Sequence, residues 1–402
     1  MPKGLTYQHT IYASFTAYIV QAVINNFVPL LFLTFQSTYQ IPLTQITLLV
    51  TLNFGFQLLV DFLAAFFVDK IGYRVSIVAA HLFATAGLVG LIILPGLFAN
   101  PFHGLLLSVM IYAAGGGLLE VLVSPIVEAC PSDHKESTMS LLHSFYCWGH
   151  VGVVLISTIF FVLAGIENWP WLALFWAIVP LFNTFFFARV PLAAPVGSHL
   201  KGFSLTQLLR NRLFWILVML MIAAGASEQA VSQWASAFAE QGLGVNKTIG
   251  DLAGPMMFAV MMGLSRLYYG RYGARLKLER FMALSAVLCL ASYFLISLSP
   301  GAVLSLIGCA ICGLAVGIMW PGTFSLSAAR LPAGGTMMFA FLALAGDVGC
   351  AAGPTLVGLM SGVFSGSLKF GILTAVVFPI LLLLGIWLVH QKKKQANEPV
   401  DA

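Results

Sequence analysis

Apolar runs of about 20 residues recur from one end of this chain to the other. Coiled at 1.5 Å per residue, such a run crosses the ~30 Å hydrocarbon core of a bilayer. Backbone N–H and C=O groups find no water there, so only helices and closed barrels can span it. Barrel strands read as alternating segments of about ten residues, whereas these runs are longer and apolar throughout. Charged residues make up only 8% of the chain and hydrophobic ones 60%; a soluble domain carries about 25% charged residues. The pattern predicts an all-α integral membrane protein with twelve transmembrane helices. They fall near residues 8–35, 44–69, 75–95, 103–128, 139–164, 170–189, 213–240, 248–271, 279–298, 303–329, 336–360 and 367–390. The opening segment has no short apolar core followed by a small-residue cleavage site, so it is expected to be a retained first helix.

Charge placement sets an expected orientation. One set of loops holds Lys70, Arg74, Lys135, Arg189, Lys201, Arg210, Arg212, Arg271, Arg275, Lys277, Arg280, Arg330 and the tail "HQKKKQ"; the other holds only Lys247 and Lys369. Both termini are therefore expected in the cytoplasm, with the chain multi-pass in the cytoplasmic (inner) membrane. The net charge of +5 is dispersed over short loops and gives no argument for nucleic acid. No extramembrane stretch is long enough for a soluble catalytic domain, and no nucleophile–base pair is in view. An enzyme, a cofactor and a metal site are accordingly not expected. The six cysteines fall mostly inside apolar helices and read as reduced packing residues.

The loop after the second helix reads "DKIGYR" (69–74), and the loop after the eighth reads "GRYGAR" (270–275), 201 residues later and half the chain length away. Gly72 matches Gly273 and Arg74 matches Arg275. The longest polar break, near 190–212, reads as a linker. The expected organisation is an N-terminal six-helix bundle (1–190), a cytoplasmic linker (191–212), a C-terminal six-helix bundle (213–390) and a cytoplasmic tail (391–402). Transporters built from paired repeats place substrate near the midplane between the halves.

The stretch "AFFVDKIGYR" resembles the loop 2–3 signature of the major facilitator superfamily, with Ala65 where that signature usually has Gly. The resemblance implies two pseudo-symmetric six-helix bundles, a central cavity lined by helices 1, 4, 7 and 10, alternating access and a monomer. It also implies that Asp69 and Arg74, with Arg275 in the second half, hold a gate through neighbouring helix ends. "GGGLLEVLVSPIVEA", "LLHSFYCWG" and "GIMWPGTFSLS" are similar to segments of the fucose permease group of sugar–proton symporters. In that group a helix 4 glutamate, matched here by Glu120, helps couple protons to sugar. The helix 1 aspartate of that group has no counterpart, since this chain reads "INNFVP" there, with Asn25 and Asn26.

The polar residues inside the spans are few enough to weigh singly. A mid-helix carboxylate costs about 2.5–3.5 kcal/mol on insertion scales and almost always faces a bundle interior or a wet cavity. Glu120 shares a helix face with Gly116 and Ser124 by i, i+4 spacing and is expected to carry protons; the plain alternative is a static helix–helix hydrogen bond. Glu228, Ser232 and Ser236 form one stripe of helix 7, with Gln229 and Gln233 on the adjacent one and Trp234 beside them. Carboxylate, amides and ring suit sugar hydroxyls and a sugar face, and Glu228 is a second coupling candidate; such stripes also join helices. Tyr18, Gln21 and Asn25 align on helix 1, where Pro29 can kink the chain. His143 and Trp320 are further cargo candidates, each with a packing alternative. Asn53, Gln57 and Asp61 line up on helix 2, and Asp61 and Asp347 are expected to approach each other at a gate, where two carboxylates share a proton or hold a cation.

The expected activity is secondary transport of a small polar solute, a monosaccharide first, driven by protons. Sodium coupling through Asp61 and Asp347, export of drugs or amphiphiles by proton antiport, and solute sensing are the competing readings. The last normally needs an output domain that the tail is too short to supply.

Overall fold

The structure is a computed structural model that describes residues 4–131, 135–193, 203, 205–272 and 277–397. Among these residues there is no strand. Twelve helices among the described residues are long and apolar enough to cross a membrane. They are α1 (Tyr7–Tyr39), α2 (Leu43–Ala64), α3 (Tyr73–Leu97), α4 (Pro101–Ala129), α5 (Leu141–Ala164), α6 (Ile166–Arg189), α7 (Arg212–Ser232), α8 (Lys247–Tyr269), α9 (Leu278–Leu298), α10 (Ala302–Arg330), α11 (Met337–Val363) and α12 (Leu368–Gln391).

Local sequence sets several of the boundaries. Asn100 caps α4, its side chain accepting from the Phe102 N–H, with Pro101 at the first helical position where no N–H is missed. Pro29 falls inside α1, and there the α-helix ends at Asn26, passes through a tighter 3₁₀ turn over Val28–Leu31 and resumes at Phe32. This is the interruption that a residue without an N–H should cause. The expected helix over 213–240 is corrected: α7 stops at Ser232, Gln233 and Trp234 form a turn, and short helical turns follow over Ala235–Ala237 and Phe238–Gly242. At the break the Gln233 side chain donates to the Asn25 carbonyl and the Ser236 side chain to the Asp251 carboxylate. The stripe Glu228–Ser232–Ser236 therefore does not run on as one face.

The chain forms two compact units. The first holds residues 1–197 together with Gln233–Val260, and the second holds Ser198–Ser232 with Met261–Ala402. In the first, α1 packs on α5, and α3 on both α4 and α6; in the second, α7 packs on α11, and α9 on both α10 and α12. The pairings repeat with a step of six helices, which is the physical content of the matched loop motifs.

Both units use glycine where backbones touch. A Cβ at Gly87 would overlap the Tyr112 backbone N, and one at Gly115 would lie 2.5 Å from the Ala80 carbonyl oxygen, so α3 and α4 meet without side chains between them. In the second unit a Cβ at Gly349 or Gly353 would overlap the carbonyl oxygens of Ile222 and Ala226, and one at Gly225 that of Gly346. Small residues spaced by four are how membrane helices gain dispersion contacts when water supplies no driving force.

The loop between α2 and α3 turns at Gly72 with φ +95°, a conformation glycine adopts at little cost. Two residues on, the Arg74 guanidinium donates to the carbonyls of Phe187, Ala188 and Val190 at 2.8, 3.0 and 2.9 Å. These belong to the C-terminal end of α6, whose last carbonyls have no partner within their own helix. Arg74→Met is expected to cost about 1–2 kcal/mol of stability, three charge-assisted bonds discounted for exposure, read as a lower thermal midpoint of the purified protein.

Candidate functional site

Glu120 sits on α4 three residues after the last of three consecutive glycines, Gly115 to Gly117, and the packing shows what they admit. A Cβ on Gly116 would lie 2.8 Å from Gln57 Oε1, and one on Gly117 2.7 Å from the Gln57 carbonyl and 2.8 Å from Asp61 Oδ1. The bare backbone of α4 thus admits α2 closely enough for the Asp61 and Glu120 carboxylates to place oxygens within 4.8 Å of each other. Asp61 is 6% exposed, and Glu120 is half-buried. Two carboxylates this close, away from bulk water, repel strongly when both are ionised.

An amide network lies on the same face of α2. Gln21 donates to Gln57 Oε1 at 2.9 Å, while Gln57 donates to Asn25 Oδ1 at 2.9 Å and to Asn53 Oδ1 at 3.0 Å. Asn53 also donates to Asn25 Oδ1, at 3.2 Å. Gln21 and Asn25, expected to line a cavity, are thus buried and engaged in joining α1 to α2. Asn26 turns back to the Ala22 carbonyl at 2.9 Å and reaches the Tyr146 hydroxyl at 3.5 Å. The Tyr18 hydroxyl lies 3.3 Å from Ser124 Oγ and 3.2 Å from His143 Nδ1, linking α1, α4 and α5. His143 is exposed.

Gln233 donates to the Asn25 carbonyl at 3.0 Å. The Trp234 ring is fully buried and tilted against Phe32 at 5.4 Å between centroids. Beyond the end of α7, burial pushes the Glu240 carboxyl above its ordinary value, the Lys247 charge opposing this and Asp251 adding to it.

In the second unit Glu228 is 7% exposed. Its carboxylate accepts from the Gln229 amide at 3.2 Å and lies 3.6 Å from the Arg266 guanidinium, which also donates to the Gly317 carbonyl at 3.3 Å. A carboxylate inside a membrane span is normally matched by an opposite charge in this way. Arg266 was not singled out by the sequence, although a lone cation within an apolar run carries the same signal as Glu120. Trp320 lies over Gly346 of α11, where a Cβ would overlap the indole, and meets Phe324 edge-on at 6.3 Å. Asp347, the next residue, is buried in the same helix. The Asp69 side chain and the whole of Arg275 lie outside the described residues.

Among the described residues, twelve helices long and apolar enough to cross a membrane pack in pairings that recur after six, with acids and amides buried inside them. The sequence model described as the Major Facilitator Superfamily matches residues 11–354. The chain belongs to that superfamily, and it is a transporter with the major facilitator fold. Solved structures of the same fold include a bacterial homologue of the human lysosomal transporter Spinster, inward-facing and unoccupied (TM-score 0.75, 16% identity, covering 98% of this chain and 99% of that one). A D-xylose–proton symporter follows (TM-score 0.73, 14% identity, 95% and 96%). The fucose:proton symporter of E. coli is a third (TM-score 0.64, 16% identity, 96% and 99%). No curated protein sequence matches the chain.

Proposed function

We propose that this protein is a proton-coupled symporter that carries a small polar solute, a monosaccharide, across the cytoplasmic membrane by alternating access, with both termini in the cytoplasm. The observation that carries the reading is the approach of Asp61 and Glu120 to within 4.8 Å inside the membrane-spanning helices. Such a pair takes up a proton where it faces a reservoir of protons and gives it up where it does not. The likeness in fold to two sugar–proton symporters supports the choice of cargo and ion.

In this reading a proton joins the Asp61–Glu120 pair from outside and solute binds. Glu228, Gln229, Gln233 and Trp320 offer acceptors, donors and a ring face from the second half. From the first half, Gln21, Asn25 and Asn26 exchange amide partners for solute hydroxyls, and His143 lies nearby. Trp234 takes its place in the site as the helix ends around it rearrange. Asp69, Arg74, Arg275 and Asp347 serve the gate. The protein then opens inward, and the pair releases its proton with the cargo.

A thermal-shift screen of monosaccharides, polyols, organic acids and amphiphilic drugs on the purified protein tests this, at acidic and alkaline pH, with and without sodium. A ligand at 100 times its Kd adds about 2.7 kcal/mol to stability, a readable shift. Stabilisation by a monosaccharide that strengthens in acid supports the proposal. Stabilisation by amphiphiles alone would favour the exporter, and a shift that requires sodium at every pH would replace the coupling ion.

A further inference from the structure

One basic residue stands where the charge pattern leaves almost none. Lys247 opens α8, and its ammonium group is surrounded within the first unit. It donates to the Leu30 carbonyl of α1 at 2.6 Å. It lies 3.3 Å from Ser236 Oγ, 3.1 Å from Asp251 Oδ2 and 4.0 Å from Glu240 Oε2. It also stands over the Phe161 ring of α5, 5.6 Å from the centroid. Ser236 in turn donates to the other Asp251 oxygen. An ammonium has three N–H donors, and Leu30, Ser236 and Asp251 can use all of them.

Local helix stability does not account for this arrangement. A cation at a helix N-terminus opposes the helix dipole, and Lys preceding Asp at i, i+4 is the weaker order for such a pair. Asn246 already caps this helix by accepting from the Ile249 N–H at 3.0 Å. What Lys247 does achieve is a tie between the stretch after α7 and two helices of the first half, α1 and α5. The same stretch, Gln233–Val260, groups with residues 1–197. It is held there also by Gln233 on the Asn25 carbonyl and Trp234 on Phe32.

We infer that Lys247, seated by Asp251 and Ser236, is a latch that closes one end of the transporter by fastening the 233–260 segment to α1 and α5, and that releasing it opens that end. A latch of this kind requires that the ammonium leave Leu30 and Phe161 while it keeps Asp251, its partner on the same helix. Asp251 thus stores the cation while the end is open. The inference depends on membership of the transporter family and is independent of the cargo and of the coupling ion.

The test is a cysteine accessibility measurement. Val28 is buried on α1, two residues before the carbonyl that Lys247 grips. All six native cysteines are buried, so the parent protein gives a low background. Val28→Cys should react slowly with a membrane-impermeant maleimide. Adding Lys247→Gln should raise that rate on the order of tenfold, and adding Lys247→Arg should leave it slow, since a cation is retained. The thermal midpoints of all three are measured alongside, and Asp251→Asn replaces Lys247→Gln should the latter not fold. Labelling that stays as slow without the Lys247 charge, in a folded protein, overturns the latch. Loss of coupling in variants of Glu120 has no bearing on this readout, so the two proposals fail separately.

Discussion

Glu120→Gln is expected to abolish uphill uptake of the cargo while leaving exchange of preloaded solute intact. The amide keeps the shape and hydrogen-bonding capacity of the protonated acid but never takes or loses the proton. A transporter locked in its protonated form still binds solute and still alternates; it loses only the link to the proton gradient. A one-unit pH gradient supplies about 1.4 kcal/mol per proton, or roughly tenfold accumulation at one proton per solute. In proteoliposomes the wild type should approach that ratio, whereas Glu120→Gln should stop at equal concentrations on both sides. Asp61→Asn is expected to act in the same direction, because Asp61 and Glu120 place oxygens within 4.8 Å of each other and the proposed coupling assigns the proton to the pair. A double variant no worse than either single would show that the two act as one unit. Full accumulation by Asp61→Asn would instead leave Glu120 as a lone carrier.

The second large effect concerns stability. Gly349→Ala should be among the most destabilising single-methyl changes in the chain, because the new Cβ would meet the Ile222 carbonyl oxygen, a backbone atom that cannot swing aside. The overlap forces α7 and α11 apart. Overpacking of this kind costs about 1–3 kcal/mol and occasionally more. Gly55 on α2 has no atom within 4 Å of an added Cβ, so Gly55→Ala is the control. It is expected to be neutral or stabilising by up to ~1 kcal/mol through helix propensity. Thermal melts of the two variants, followed by light scattering in detergent, compare them directly. A Gly349→Ala protein that melts with the wild type would mean that α7 and α11 do not meet through these glycines.

These two predictions draw on different parts of what the sequence can say. The spans were legible because the bilayer fixes their length and forbids unpaired backbone, so the apolar runs of the sequence and the helices of the structure coincide to within a few residues for most of the chain. The break after Ser232 was not legible, since no Pro or Gly marks it; beside it the Gln233 and Ser236 side chains bond to Asn25 and Asp251. Glu120 was legible from its cost alone. Its approach to Asp61 was not, because periodicity places residues on a face of one helix and is silent on which helix comes to meet it. The glycines at 115–117 were the clue, marking a backbone that something approaches, without naming Gln57 and Asp61 as what does. Arg266 carries the same cost signal, a lone cation within the apolar run of α8, set close to the basic residues that follow that helix. Lys247 was read as a loop charge because its position at the first turn of α8 conceals the carbonyl and ring that enclose it.

The central claim is that solute and proton move together through the Asp61–Glu120 pair. It is tested most directly by loading proteoliposomes with a pH-sensitive dye and adding, with no pH gradient, the solute that stabilises the protein in the thermal screen. The lumen should acidify as solute enters through the wild type and stay unchanged as solute enters through Glu120→Gln. Solute entry through the wild type without any change in lumenal pH would contradict the account.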